Sequence, residues 1–256
     1  MKISINIPSY KRPIVETLKY IPFARVWIDG EEEEEYRKEN PNTDIVVVDK
    51  GIQGNICRIR NYILKKEFER GMDFVCTVDD DMEGMYCWQD RVSHKIPTEM
   101  IMVFLEKYSI MAEDLGVYLW GMNINQDKQV YREYSPFSMT SFIGAPFTVF
   151  RKGNNCWFDE RLPLKEDYDM TLQQLNMYRK VLRVNRYFYR VKQSEQAGGC
   201  ATYRNREREE EQLMMLQKKW GSKIVRVDKN DRSHNIKKEK KKMDYNPIIV
   251  VPIKGI

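Results

Sequence analysis

Between residues 3 and 78 the chain alternates short apolar strand patterns with helical ones, and each strand pattern runs out into polar residues. Ile3, Ile5 and Ile7 alternate with polar neighbours and stop at Pro8, and residues 24–30, 44–49 and 74–78 again read as strands. Helical stretches at 14–19, 31–38 and 58–70 separate them, the last stopped by Gly71. This order restricts the chain to an α/β fold with a parallel sheet covered by helices. Ligands of such sheets collect beyond the carboxyl ends of the strands, where Ser9, Tyr10, Asp29, Asp49 and the triplet Asp79, Asp80, Asp81 all fall.

The triplet is the chemically loudest of these ends. Three adjacent carboxylates repel one another, so the fold must offset them with a cation, basic partners or water. An Asp-x-Asp pair after a buried strand offers hard oxygen ligands to Mg²⁺ or Mn²⁺, which commonly hold a substrate's phosphates. The plainer alternative is an acidic turn capping the next helix, but a cap needs one carboxylate. Neither Gly-x-x-x-x-Gly-Lys-Ser/Thr nor Gly-x-Gly-x-x-Gly occurs after the first strand. The glycine turn at 51–54 leads into Arg58 and Arg60 and is only a weak phosphate signal.

At 256 residues the chain can bury a substantial core. No apolar run approaches the roughly eighteen residues of a membrane helix, and residues 1–4 lead straight into a strand pattern, so a soluble, cytoplasmic protein without a membrane partner is expected. Five scattered cysteines predict free thiols in a reducing compartment. The net charge of +5 is uneven, acidic at 31–35 and rich in Lys and Arg at 218–242, which suits a polyanionic partner.

Ile-Pro-Ser-Tyr-Lys-Arg-Pro at 7–13, Val-Asp-Asp-Asp at 78–81, and Glu166-Asp167 after Phe-Asp-Glu-Arg-Leu at 158–162 together resemble GT-A glycosyltransferases. Among these, residues 1–185 are similar to the TET/JBP-associated glycosyltransferases of bacteriophages, which decorate hydroxymethylated bases in DNA. The resemblance implies a Rossmann-like GT-A fold, with a mostly parallel sheet and a mixed acceptor-side half. It implies a catalytic domain over 1–235, divided into a nucleotide-binding half at 1–90 and an acceptor half at 91–235, followed by a basic and apolar tail at 236–256. Pro8, Ser9, Tyr10 and Arg12 would then surround the uracil and ribose of a UDP-sugar, and Asp29 would contact the base. Asp79 would lie near the ribose or metal, Asp81 would ligate Mn²⁺ or Mg²⁺, and Asp80 would join the donor-binding residues without an individual role. Arg58, or Lys223, would neutralise the diphosphate if no metal did.

In the second half, residues 140–151 read as two extended segments broken by Gly-Ala-Pro, and residues 170–180 as a helix. Carboxylates before a helix stabilise its positive end, which alone could explain Glu166, Asp167 and Asp169. The resemblance instead implies that Asp167 is the general base and Glu166 positions donor hydroxyls, with the two roles exchangeable. His94 reads as a surface residue, and the resemblance makes His234 a third metal ligand. The glycines at 198–199 predict close backbone approach to a ligand, as in a lid, or an ordinary turn. The helix at 206–220 is a packing helix, and the apolar stretch 247–253 a closing strand or an oligomer contact.

The expected reaction is metal-dependent transfer of glucose or a related hexose or pentose from a UDP-sugar to a 5-hydroxymethylcytosine-type base in DNA, in a host cytoplasm if phage-encoded. Tyr131, Tyr134, Phe137, Tyr187, Phe188 and Tyr189 are candidates for contacting the strand. The alternatives are a glycan, lipid or protein acceptor, a sugar-nucleotide nucleotidyltransferase, or a non-catalytic DNA-binding module.

Overall fold

The computed structural model describes residues 1–124, 126–127, 131–192, 198–227 and 246–253. Strand β1 (Ile3–Pro8), β2 (Arg25–Ile28), helix α1 (Glu33–Glu39), β3 (Ile45–Val47), α2 (Ile56–Glu69) and β4 (Phe74–Val78) follow the expected alternation. The first helical stretch is a single 3₁₀ turn, Glu16–Lys19. The four strands pair in the order β3-β2-β1-β4, all parallel, so their carboxyl ends open on one side. Every residue of β4 is buried, as a central strand covered on both faces requires. Helix α2 starts where the Asn55 side chain accepts from the N–H groups of Cys57 and Arg58, and its Ile59 and Ile63 share an apolar cluster with Val75 of β4.

Beyond the triplet the sheet becomes mixed. A hairpin of β5 (Met82–Gln89) and β6 (Val92–Lys95) is followed by α3 (Ile101–Asp114), β7 (Leu119–Asn123), β8 (Phe137–Ser138), β9 (Phe147–Arg151), α4 (Glu166–Tyr178), β10 (Leu182–Val191) and α5 (Arg206–Trp220). From β4 the sheet continues β9-β7-β10-β5-β6, with β8 also on β10. Strand β9 runs antiparallel to both β4 and β7, whereas β10 is parallel to β7 and antiparallel to β5. The parallel part, β1–β4, and the mixed part thus form one continuous sheet.

Some expectations change. Of the two extended segments expected at 140–151 only β9 is a strand, because the Ile143 N–H bonds the Thr171 hydroxyl of α4 (3.2 Å) instead of a neighbouring strand. Helix α4 begins at Glu166, four residues before the expected start. Three of the aromatics expected to contact DNA serve packing, since β10 is an interior strand. Phe188 is buried and stacked on Tyr86 and Trp88, Tyr187 packs against Phe104 at 4.8 Å, and Tyr189 is buried. Tyr134 and Phe137 do lie at the surface.

The stretch at 247–253 closes the fold: β11 (Val225–Val227) pairs antiparallel with β12 (Pro247–Ile249), and Val251 and Ile253 pack against the cluster beneath α2. All five cysteines are free. His94 is exposed, as expected, while His234 and the lysine-rich stretch at 237–242 lie outside the described residues. Among the described residues no helix is long and apolar enough to cross a membrane.

Candidate active site

A cavity of about 510 Å³ opens beyond the strand ends, walled by the loop after β1, the triplet, residues 144–146, the start of α4 and residues 199–204. Pro8, Ser9, Tyr10, Arg12, Asp79, Asp80, Asp81, Glu166 and Asp167 all line it, although they come from both halves of the chain.

The three aspartates differ in environment. Asp80 is buried and tied to the β1 loop: it accepts from Ser9 Oγ (2.7 Å) and from Arg12 Nη1 (2.9 Å). Burial raises its pKa, and the Arg12 guanidinium offsets part of that rise. Ser9 Oγ also meets Tyr36 Oη at 2.8 Å, so Ser9 and Asp80 are committed to holding the loop. Asp79 accepts from Arg60 Nη2 at 2.7 Å. Asp81 lies 3.9 Å from Arg12 Nη1, and burial together with the charges of Asp79 and Asp80 pushes its pKa up to about 7.

Arg60, just after the glycine turn at 51–54, joins the two halves. Its guanidinium is 2% exposed and spans the two halves: Nη2 holds Asp79, and Nη1 donates to Glu166 Oε1 at 2.9 Å. Burial works against its charge, and the two carboxylates outweigh it. Arg58, expected at the diphosphate, lies away from the cavity. It donates to Glu160 Oε2 (3.0 Å) and the Gly51 carbonyl (2.5 Å), because side chains two apart on a helix do not share a face. The chain's signal for Arg60 is its place directly after Ile59 and three residues before Ile63, on the buried flank of α2.

Asp29 is likewise not a wall of the cavity. Its Oδ1 accepts from the Glu31 N–H at 3.0 Å, capping the 3₁₀ turn Gly30–Glu32. Lys223 does not line the cavity either. Arg12 and Lys192 do, Lys192 ion-paired with Glu16 at 3.0 Å.

The carboxylates at 159–169 separate by partner. Asp159 and Asp169 both meet Lys219 of α5 at 2.9 Å, and Asp169 also accepts from Trp220 Nε1 at 2.8 Å, so Asp169 fastens α4, and Asp159 the loop before it, to α5. Glu166 is held by Arg60, and burial plus the charge of Asp167 pushes its pKa up to about 7. Asp167 instead accepts backbone hydrogen bonds, from Tyr168 N–H (2.8 Å) and Ala145 N–H (3.4 Å), and burial raises its pKa. A carboxylate oriented by amides can still accept a proton from a substrate.

The 198–204 segment closes one wall. The Gly198 carbonyl accepts from Arg12 Nη2 at 3.2 Å and the Gly199 N–H donates to Tyr10 O at 2.9 Å. A Cβ on Gly198, whose φ is +94°, would stand 2.5 Å from Lys11 O. The glycines therefore permit close approach to the β1 loop, and Gly199 also lines the cavity.

Among the described residues no group of three or more His, Cys, Asp or Glu is arranged to hold a metal ion. Asp79 and Asp81 carry hard oxygen donors of the kind a divalent cation takes, and Asp79 is already ion-paired with Arg60 at 2.7 Å. The third ligand expected, His234, lies outside the described residues.

The sheet is parallel through β1–β4 and mixed beyond, and its acidic strand end faces a cavity shared by the two halves. The family model for the TET-associated glycosyltransferases matches residues 14–199, and the chain belongs to that family of nucleotide-sugar-dependent glycosyltransferases. Solved structures with similarity include S. aureus TarS 1–349, at 17% identity and TM-score 0.45 over 74% of this chain; this chain spans 59% of that one. Another is glucosyl-3-phosphoglycerate synthase from Mycobacterium tuberculosis in complex with Mg²⁺ and UDP, at 10% identity and TM-score 0.49, covering 90% of this chain and 85% of that one. No curated protein matches the sequence significantly.

Proposed function

We propose that the protein transfers a sugar, glucose or a related hexose or pentose, from a UDP-sugar to the hydroxyl of a 5-hydroxymethylcytosine-type base in DNA. The observation that carries the reaction is that one cavity holds the acidic strand end of the nucleotide half and, from the other half, the amide-oriented carboxylate of Asp167. The family's name supports the acceptor.

The uridine lies against Pro8, Ser9, Tyr10 and Arg12, with the diphosphate toward Asp79 and Asp81. A divalent cation held by Asp79 and Asp81 would act as a Lewis acid on the diphosphate. Asp167 removes the acceptor hydroxyl proton as that oxygen bonds to sugar C1, and the C1–O bond to the diphosphate breaks with its electron pair leaving on UDP. Glu166, fixed by Arg60, orients the donor hydroxyls. A base inside a duplex cannot reach this cavity, so the target is flipped out or presented on a single strand.

The test is incubation with a panel of UDP-sugars, Mn²⁺ and DNA containing 5-hydroxymethylcytosine, followed by mass analysis of the nucleosides. A hexose- or pentose-sized gain on the modified nucleoside is expected. No gain with any donor, alongside reaction with a glycan, lipid or protein acceptor, refutes the DNA acceptor.

A further inference from the structure

We infer that Phe142 and Tyr168 form the stacking platform for the planar heterocycle of the acceptor; this rests on the reading above and assigns the acceptor subsite that it requires. The two rings stack with centroids 4.3 Å apart and planes within 19° of each other, and both border the cavity. Each is half-buried. Tyr168 is supported from behind, packed against the cluster of Leu162, Leu172, Leu213 and Leu216 between α4 and α5. Phe142 belongs to none of the three apolar clusters of the described residues; its ring is placed by Tyr168 and by the cavity wall. A half-exposed phenylalanine that no core takes up, at the edge of a charged cavity, leaves apolar area for a ligand to cover.

The position of the pair selects its occupant. Tyr168 follows Asp167 directly, and its own N–H bonds Asp167 Oδ1 at 2.8 Å, so a ring resting there is registered beside the proton acceptor. Phe142 sits three residues before Ala145, whose N–H bonds the other oxygen of the same carboxylate at 3.4 Å. The platform and Asp167 are thus positioned by the same two segments of the acceptor half, whereas the uridine end of the cavity is built from the β1 loop. Between those segments Gly144 keeps the wall thin: a Cβ there would stand 2.4 Å from Ile124 Cγ2 and 2.6 Å from Tyr189 Oη. A heterocycle extruded from a nucleic acid strand needs such a surface, since every base has a π-face and loses its stacking neighbours when it leaves the helix.

The experiment compares wild type with Phe142→Leu, which keeps apolar volume but removes the ring, and with Phe142→Tyr, which keeps it. Readouts are KM and kcat for hydroxymethylated DNA and the Kd for UDP. The expected result for Phe142→Leu is a KM for DNA raised about tenfold or more, the scale of one lost base–aromatic stack, with a smaller change in kcat and an unaltered Kd for UDP. Phe142→Tyr should restore the wild-type KM. An unchanged KM with active enzyme would make the pair a packing contact and overturn the inference alone, and a weakened Kd for UDP with unchanged KM would assign the rings to uracil, also overturning it. Transfer by wild type only to acceptors without a heterocycle overturns both the inference and the reading beneath it.

Discussion

Arg60 holds Asp79 and Glu166 at once while almost fully buried. Replacing it by methionine leaves two carboxylates facing one another in a low-dielectric wall, a change expected to cost about 3–5 kcal/mol of stability. Arg58→Ala breaks an ion pair that is well exposed on both sides and should cost less than about 1 kcal/mol. Urea denaturation of the two variants measures the contrast, and comparable losses would contradict the assignment. Glu166 adds a pH dependence. Its pKa is raised in the fold from the ordinary 4.5 to about 7, by burial first and Asp167 second, so the folded state binds the proton more tightly than the unfolded chain. Stability contributed by this group is therefore present at low pH and lost as pH rises from about 4.5 through 7. Glu166→Gln removes the titration, and the drop in urea midpoint between pH 5 and pH 7.5 should shrink in that variant; an unchanged drop would show that Glu166 does not titrate in this window.

At the scale of elements, the cavity is assembled by segments that grip one another more than by rigid strand ends. The 198–204 segment is the clearest case, since its first residue lies against the β1 loop with no room for a side chain. Gly198→Ala should displace one of the two and weaken UDP binding about tenfold, measured by calorimetry. Unchanged affinity would mean that this wall does not shape the donor site. Elements with strong local patterns were legible in the sequence: α5 spans the expected 206–220, and β4 is the expected 74–78. The hairpin β5–β6 and β7 carry no motif in the sequence, because their places follow from long-range pairing with β10 and β9. Residue positions were legible only where the local chain decides them. That Asp167 stands at a helix start follows from the local pattern, whereas which of Arg58 and Arg60 faces the cavity depends on which face of α2 meets the sheet, and the place of Asp29 on the turn that it caps.

Over the whole molecule, one sheet joins a parallel half that ends in carboxylates to a mixed half that presents an amide-oriented acid. The overall α/β class could be read from the alternation of the first 78 residues. The cavity itself could not, because it depends on β9 pairing with β4, which brings residues 144–146 and α4 against the triplet. The proposed transfer rests on that convergence, with the donor held in one half and the proton removed in the other. Its most direct test is the initial rate of sugar transfer to hydroxymethylated DNA by Asp167→Asn, measured beside the Kd for UDP. Loss of the base predicts a rate lowered by about 10²-fold or more with UDP affinity retained. A variant that transfers sugar at the wild-type rate would contradict the account.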